Sequence, residues 1–232
     1  MSKLTKRAKL AAELLPTPEA RDFSAAIGIL QELAKKSKIK FVETVDLAIN
    51  IGVDARKGDQ MVRGMLSLPV SSGKDIKIAV FADGDDAKQA LENGAVKSGM
   101  KDLADAMQKG ECDYDVVIAV PEAMKLVGQL GRVLGPKGLM PNPKDGTVSK
   151  DVVAAVAKAK AGQVRLRNDK QGIVHCSLGK LDTQASDLEK NFIAVMDELI
   201  RLKPKTSKGT YLKKVTVSST MGPGVLVNIP AG

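Results

Sequence analysis

The sequence predicts an α/β protein of two domains, one discontinuous and one inserted into it. Residues 1–68 and 160–232 form the first and residues 69–159 the second. Three observations carry this reading. The first is a change in apolar patterning. The ends show alternation and amphipathic stripes, whereas the middle shows short continuous apolar runs followed by helical patterns, as expected of parallel strands buried on both faces. The second is charge. Residues 1–68 hold 12 Lys and Arg against 8 Asp and Glu, residues 69–159 hold 12 against 13, and residues 160–232 hold 12 against 6. The two ends together therefore carry +10 and the middle −1 of the net +9. The third is the loop-like stretch Leu68-Pro-Val-Ser-Ser-Gly-Lys74, which stands where the pattern first changes. Two crossings, near 69–74 and 159–162, are expected to act as a hinge between the domains.

The elements follow in order. Lys3–Leu15 reads as a basic amphipathic helix stopped by Pro16, and Asp22–Lys36 as a second, with Asp22 at the N-cap and lysines in the last turn, where the helix dipole favours them. Lys40–Ile51 alternates, which puts Phe41, Val45, Leu47, Ile49 and Ile51 on one buried face of a strand. Glu43 shares that face, so its carboxylate calls for a solvated rim or a specific partner. Ile76–Phe81 and Val116–Val120 are the apolar runs of the middle, the second followed by a helix over Glu122–Leu130. Asp151–Ala161 is an alanine-rich helix ended by Gly162. Gln163–Arg167 and Ile173–Leu178 read as the arms of a hairpin around Asn168–Gly172. Ser186–Leu202 carries Leu188, Phe192, Val195, Met196 and Leu199 on one stripe. Lys203–Lys214 holds five lysines, and the strands Lys213–Ser219 and Val225–Ile229 flank the turn Thr220–Gly224.

Composition excludes several functions. Cys112 and Cys176 belong to no CxxC pair, so zinc and dithiol chemistry lack their usual signatures, and both read as small buried hydrophobes. The lone His175 lies in a strand pattern and reads as structural, which leaves no metal set and no evident acid–base pair. No apolar run reaches the about 18–20 residues of a membrane span, and the N-terminus lacks the apolar core of a secretion signal. The protein is expected to be cytoplasmic, with no membrane partner. A basic balance on two ends that fold together suits a polyanion.

The stretch Gly131–Val148, GRVLGPKGLMPNPKDGTV, has four glycines and three prolines. The prolines exclude a regular helix or central strand through it, while Val133, Leu134, Leu139 and Met140 argue for a loop pinned by its own apolar side chains. A phosphate-cradling loop needs Gly-Lys-Ser/Thr, and Lys137 stands between Pro136 and Gly138, so that match fails. A structural crossover and a docking surface for RNA or protein remain. A nucleotide-dependent enzyme built on the middle domain is the alternative class. Neither Asp83-Gly84-Asp85 nor this loop offers GxGxxG after a strand, and no catalytic residue or cofactor is expected.

KFVETVDLAINIGVD, the 131–148 loop, RLRNDKQGIVH and STMGPGV together resemble the bacterial L-one family of large-subunit ribosomal proteins, which belong to the mobile stalk beside the tRNA exit site. The resemblance covers essentially the whole chain. It implies a discontinuous α/β (split βαβ-like) RNA-binding domain from both termini and an inserted Rossmann-like three-layer domain. It also implies a ribosome-associated protein, monomeric when free, among other components of the large subunit. Its implied partners are large-subunit ribosomal RNA, exit-site tRNA, whose release it assists, and its own operon mRNA, whose translation it represses. Positions matching the family's RNA surface are Phe41, Glu43, Thr44, Thr220, Met221 and Gly222, with Lys40, Arg56, Arg167, Asp169 and Lys170 as neighbours. Arg132, Lys137 and Lys144 are candidates for contact with tRNA or stalk RNA.

The chemistry suits RNA. Phe41 and Met221 offer apolar surface to sugars and unstacked bases, and the Thr44 and Thr220 hydroxyls can exchange hydrogen bonds with a 2′-hydroxyl. Gly222 lets backbone approach closely. Glu43 repels phosphate, so its partner is a base donor, a 2′-hydroxyl or a nearby arginine. The lysines and arginines supply the salt-dependent part of affinity. Ordinary core packing is the competing explanation for Phe41 and Met221.

Overall fold

A computed structural model describes residues 5–229 apart from 16, 18, 38, 72, 74, 111, 144, 145 and 208. Lys3, Pro16, Lys74, Lys144 and Lys208, all used above, lie outside the described residues. In chain order the first segment holds helices α1 (Lys6–Leu14) and α2 (Phe23–Lys36) and strands β1 (Thr44–Ile51) and β2 (Arg63–Ser67). The middle holds β3 (Ile78–Phe81), α3 (Gly84–Glu92), β4 (Lys97–Gly99), α4 (Lys101–Gln108), β5 (Val116–Ala119), α5 (Met124–Gln129), α6 (Gly131–Leu134) and α7 (Val152–Lys160). The last segment holds β6 (Gln163–Arg167), β7 (Ile173–Lys180), α8 (Ala185–Arg201), β8 (Leu212–Ser219) and β9 (Val225–Val227). These elements form two compact units, Met1–Gly73 with Val164–Gly232, and Lys74–Gln163.

The first unit is built on a four-stranded sheet in the order β7-β1-β8-β9. The neighbouring pairs are antiparallel: Leu47 faces Cys176 and Val217, and Val215 faces Val227. Period-two alternation sends Val45, Leu47, Ile49 and Ile51 to one face with Val174, Cys176, Leu178, Val215 and Val217, where the apolar stripes of α2 and α8 cover them. The Phe23 and Phe192 rings stack between those helices at 4.5 Å. Burial pushes the Cys176 thiol up to about 12, with the Asp46 charge adding to it, so this cysteine is an inert core residue.

The second unit is a three-stranded parallel sheet, β4-β3-β5. Its strands are buried on both faces. Ala79, Phe81, Val117 and Ala119 pack against Leu103, Met107, Val127, Leu130 and Leu134, whereas Ile78, Val80 and Ile118 pack against Ala90, Val152, Val156 and Ala159. The result is three layers, and it explains why the sequence shows continuous apolar runs here.

Several expectations need correction. Asp22 is the N-cap residue of α2 but makes no capping bond; its carboxylate accepts instead from the Asn228 amide at 3.0 Å. The first strand begins at Thr44, not Lys40, so the parity that put Phe41 on the buried face has no ladder to enforce it. β6 and β7 share only the Asn168–Val174 bridge and are not hairpin arms. β6 pairs with β2 in a separate two-stranded sheet, while β7 pairs with β1. In the Gly131–Val148 stretch one turn of helix, α6, forms before Pro136. Among the described residues Leu134 and Leu139 are buried and pin the stretch as expected, Val133 is half-buried, and Met140, expected to help, is exposed. A left-handed Gly138 (φ 69°) turns the chain, and Ala119 donates to the Thr147 carbonyl at 3.0 Å.

Candidate nucleic-acid interface

The entry of β1 and the exit of β8 meet as a bracket. The Thr44 N–H donates to the Thr220 hydroxyl oxygen at 2.9 Å, and the Thr220 N–H donates to the Thr44 carbonyl at 3.1 Å. Beyond it the Gly222 N–H donates to the Ser219 carbonyl at 2.9 Å, closing a tight turn. A Cβ at position 222 would collide with the Ser219 hydroxyl and lie 3.3 Å from a Leu30 methyl, so glycine is needed there for room. Phe41 and Met221, on the segments that flank this bracket, are 54% and 62% exposed. Core packing is therefore not their role. Phe41 and Val42 also wall an open groove of about 630 Å³ with Ala34, Ile39, Leu181 and Ala185. Lys40 is exposed beside it.

Glu43 behaves differently from its neighbours: it is only 2% exposed. Its backbone carbonyl accepts from Leu181 at 2.9 Å. Its carboxylate is gripped by Arg7 of α1, with Nη1 2.8 Å from Oε1 and Nη2 donating to Oε2 at 3.0 Å. The Ser219 hydroxyl and the Met221 backbone amide favour the charge of the same carboxylate, although the Ser219 hydroxyl completes no hydrogen bond. Burial pushes the group up, but the Arg7 hydrogen bond and charge, helped by the nearby Ser219 hydroxyl and Met221 amide, outweigh burial and hold it below the ordinary glutamate range. Glu43 thus takes the nearby arginine rather than facing solvent. Because the folded-state value lies below the unfolded one, ionised Glu43 stabilises the unit at neutral pH, and this contribution is lost as pH falls through the folded value. Melting temperature followed from neutral to acid pH is expected to show a shallower acid limb in Glu43→Gln than in the parent. Parallel limbs would assign the acid sensitivity to other carboxylates.

The remaining candidates of this unit lie elsewhere. Asn50, near the far end of β1, faces Ile173 and Lys214. The turn at Asp169–Gly172 therefore sits six residues of strand, roughly 20 Å, from Thr44. There the Asp169 carboxylate accepts from the N–H groups of Gln171 and Ile173, both at 2.8 Å, and the Ile173 bond leads in holding its pKa low. Asp169 organises the turn, and exposed Arg167, Lys170 and Arg56 surround that end. His175 projects from β7 with Nε2 3.8 Å from the Asp169 carboxylate. The sequence list thus resolves into two groups at opposite ends of β1. In the second unit Arg132 on α6 and Lys137 are exposed, and Lys144 lies outside the described residues.

Arg7 and Ser219 are missed by sequence reasoning. The signal for them is the acidic residue in an apolar alternation, which demands a partner but does not say which of many cations supplies it. Among the described residues no group of three or more His, Cys, Asp or Glu could hold a metal ion, and no helix is long and apolar enough to cross a membrane.

A discontinuous α/β unit interrupted by a three-layer α/β unit defines a class: two-unit α/β proteins in which one unit is inserted into the chain of the other. Residues 31–223 match the model of the ribosomal protein L1p/L10e family. The chain is 53% identical over 228 residues to the large ribosomal subunit protein uL1 of Chromohalobacter salexigens, covering 98% of each. It is 54% identical to that of Azotobacter vinelandii, covering 98% of this chain and 97% of the relative, and 52% identical to that of Coxiella burnetii strain Dugway over the same shares. The chain belongs to the ribosomal protein L1p/L10e family. That is a family of structural ribosomal proteins, and the enzyme alternative falls away.

Proposed function

We propose that this chain, a structural protein of the large ribosomal subunit working on ribosomes in the cytoplasm, binds large-subunit ribosomal RNA at the base of the mobile stalk. Lys40, Phe41, Thr44, Thr220, Met221 and Gly222 form the specific contact, with Glu43 holding them from beneath. Arg56, Arg167 and Lys170, with Asp169 shaping their turn, form an electrostatic flank. The observation that carries this reading is the pair Phe41 and Met221, each more than half exposed around a hydrogen-bonded bracket. Large apolar side chains presented beside polar groups mark a binding surface, and RNA supplies the matching sugars, unstacked bases and 2′-hydroxyls.

The same rim recognises a similar structure in the operon's own mRNA and so represses translation. The unit Lys74–Gln163 acts as a domain hinged on its two chain crossings and carries Arg132, Lys137 and Lys144 toward exit-site tRNA, assisting release of the deacylated species. Other components of the large subunit are partners, and the free protein is a monomer.

Binding of a stalk RNA fragment and of an unrelated structured RNA, each across a salt series, tests this. Thr220→Val with Met221→Ala is expected to weaken the stalk complex by about 1–3 kcal/mol and to leave the unrelated RNA nearly unchanged. The hydroxyl lost from Thr220 costs about 1 kcal/mol of stability, so the variant remains folded. Equal losses for both RNAs would reduce the rim to a generic cationic surface.

A further inference from the structure

We infer that Arg7 of α1 is a positioning residue for the rim: through Glu43 it fixes the Ser219–Gly222 turn against the entry of β1, and so contributes to specific RNA affinity without touching RNA. The inference rests on the rim being the RNA site. α1 has no buried residue, yet the Arg7 side chain is only 19% exposed and closes a two-pronged ion pair on a carboxylate that is almost wholly buried. Both guanidinium prongs are taken up by Glu43, at 2.8 and 3.0 Å. A phosphate would have to compete with a buried carboxylate for the same donors. Glu43 leads directly into Thr44, whose N–H donates to the Thr220 hydroxyl at 2.9 Å and whose carbonyl accepts from the Thr220 N–H at 3.1 Å, so a held Glu43 holds the residue between Ser219 and Met221. The Arg7–Glu43 pair and the Thr44–Thr220 bracket next to it therefore join three chain segments: α1, the approach to β1 that carries Phe41, and the turn after β8 that carries Met221. Removing Arg7 leaves that carboxylate buried and unpaired, and it must move toward water. Movement displaces the adjoining Thr44 and, through its bonds to Thr220, the turn that holds Met221 and closes Gly222 against Ser219.

A cationic residue that touches phosphate and one that positions a rim differ in their salt dependence. Losing a phosphate contact lowers the log–log salt slope by about one, whereas losing a positioning group lowers affinity at every salt concentration alike. The experiment compares Arg7→Met, Arg7→Lys and the parent in the same two-RNA salt series, with Thr220→Val plus Met221→Ala as the control. Arg7→Met is expected to weaken stalk RNA about tenfold with an unchanged slope, the scale of one charge-assisted hydrogen bond. Unrelated RNA is held as before. Arg7→Lys is expected to recover part of the loss, since an ammonium restores the charge but not the two-pronged geometry. The Met221 amide is expected to shift in the proton–nitrogen spectrum of Arg7→Met without RNA. A slope lower by about one would make Arg7 a phosphate ligand and overturn the inference. Wild-type stalk affinity in Arg7→Met, while the control variant loses it, would also overturn it. If the control variant itself keeps full affinity, the rim reading fails first and this one with it. Should Arg7→Met not fold, Arg7→Met with Glu43→Met removes both charges, and wild-type stalk affinity in that variant overturns the inference equally.

Discussion

Phe192→Ala is expected to destabilise the discontinuous unit by about 3–5 kcal/mol, the scale for deleting a buried aromatic side chain. The ring is buried in α8 and stacks on Phe23 of α2, with centroids 4.5 Å apart and planes 8° from parallel. The two helices come from chain segments on either side of the insertion, so this contact helps to close the discontinuous unit. No aromatic elsewhere in the core of this unit offers a comparable surface; of the other buried residues there only Tyr211 carries a ring. The cavity is flanked by Leu188, Val195 and Met196, whose packing on the sheet limits collapse. Denaturant unfolding with one reporter in each unit is the measurement. The transition of the discontinuous unit moves to lower denaturant, while that of Lys74–Gln163, whose cores are separate clusters, stays in place. On the proposal that the rim binds RNA, RNA affinity falls with the first transition, since the rim is part of the unit that unfolds. A joint shift of both transitions would show that the units unfold as one.

The elements that were legible in the sequence share one property: their periodicity is enforced by a real ladder or stripe. Val45 to Ile51 alternate because β1 lies between β7 and β8 with helices on one face only, and Ile78 to Phe81 do not alternate because helices cover both faces. Where no such constraint acts, pattern misleads or is silent. Phe41 continued the parity of β1 but stands before the first ladder bond, so it is free to face solvent. The strand β4 has three residues, Lys-Ser-Gly, held by backbone bonds to β3, and nothing in those side chains announces it. β6 and β7 read as neighbours because a turn joins them, yet each found a better partner in the first chain segment. The candidate site divides in the same way. Residue types suited to RNA were visible one by one. The long-range pairings that sort them, Thr44 with Thr220 and Arg7 with Glu43, depend on separations of 176 and 36 residues that no local pattern encodes.

The same reasoning singles out Asn191, a polar residue on the apolar side of α8 that is buried and fully used. Its amide nitrogen donates to the Val70 carbonyl at 3.0 Å and to the Leu178 carbonyl at 2.9 Å, and its oxygen accepts from the Val70 N–H at 3.0 Å. Leucine matches its shape but strands three backbone groups. Each stranded group costs about 1–3 kcal/mol when dry, and because Val70 is only partly buried, water relieves some of this. Asn191→Leu is therefore expected to cost about 2–4 kcal/mol in total. The location makes the variant more than a stability probe. Val70 lies four residues before the unit Lys74–Gln163 begins, so Asn191 fixes the point at which the first crossing leaves the discontinuous unit. The proposed hinge at this crossing would need anchored ends, since a crossing that slides dissipates the motion it should transmit. Hydrogen exchange at the Val70 amide is the direct readout. Protection there is expected to collapse to that of an open loop in Asn191→Leu, with proteolytic nicking between 69 and 75 accelerated to match. If Val70 keeps its protection, the crossing is held by contacts other than those of Asn191, and Asn191 is not the anchor of the proposed hinge.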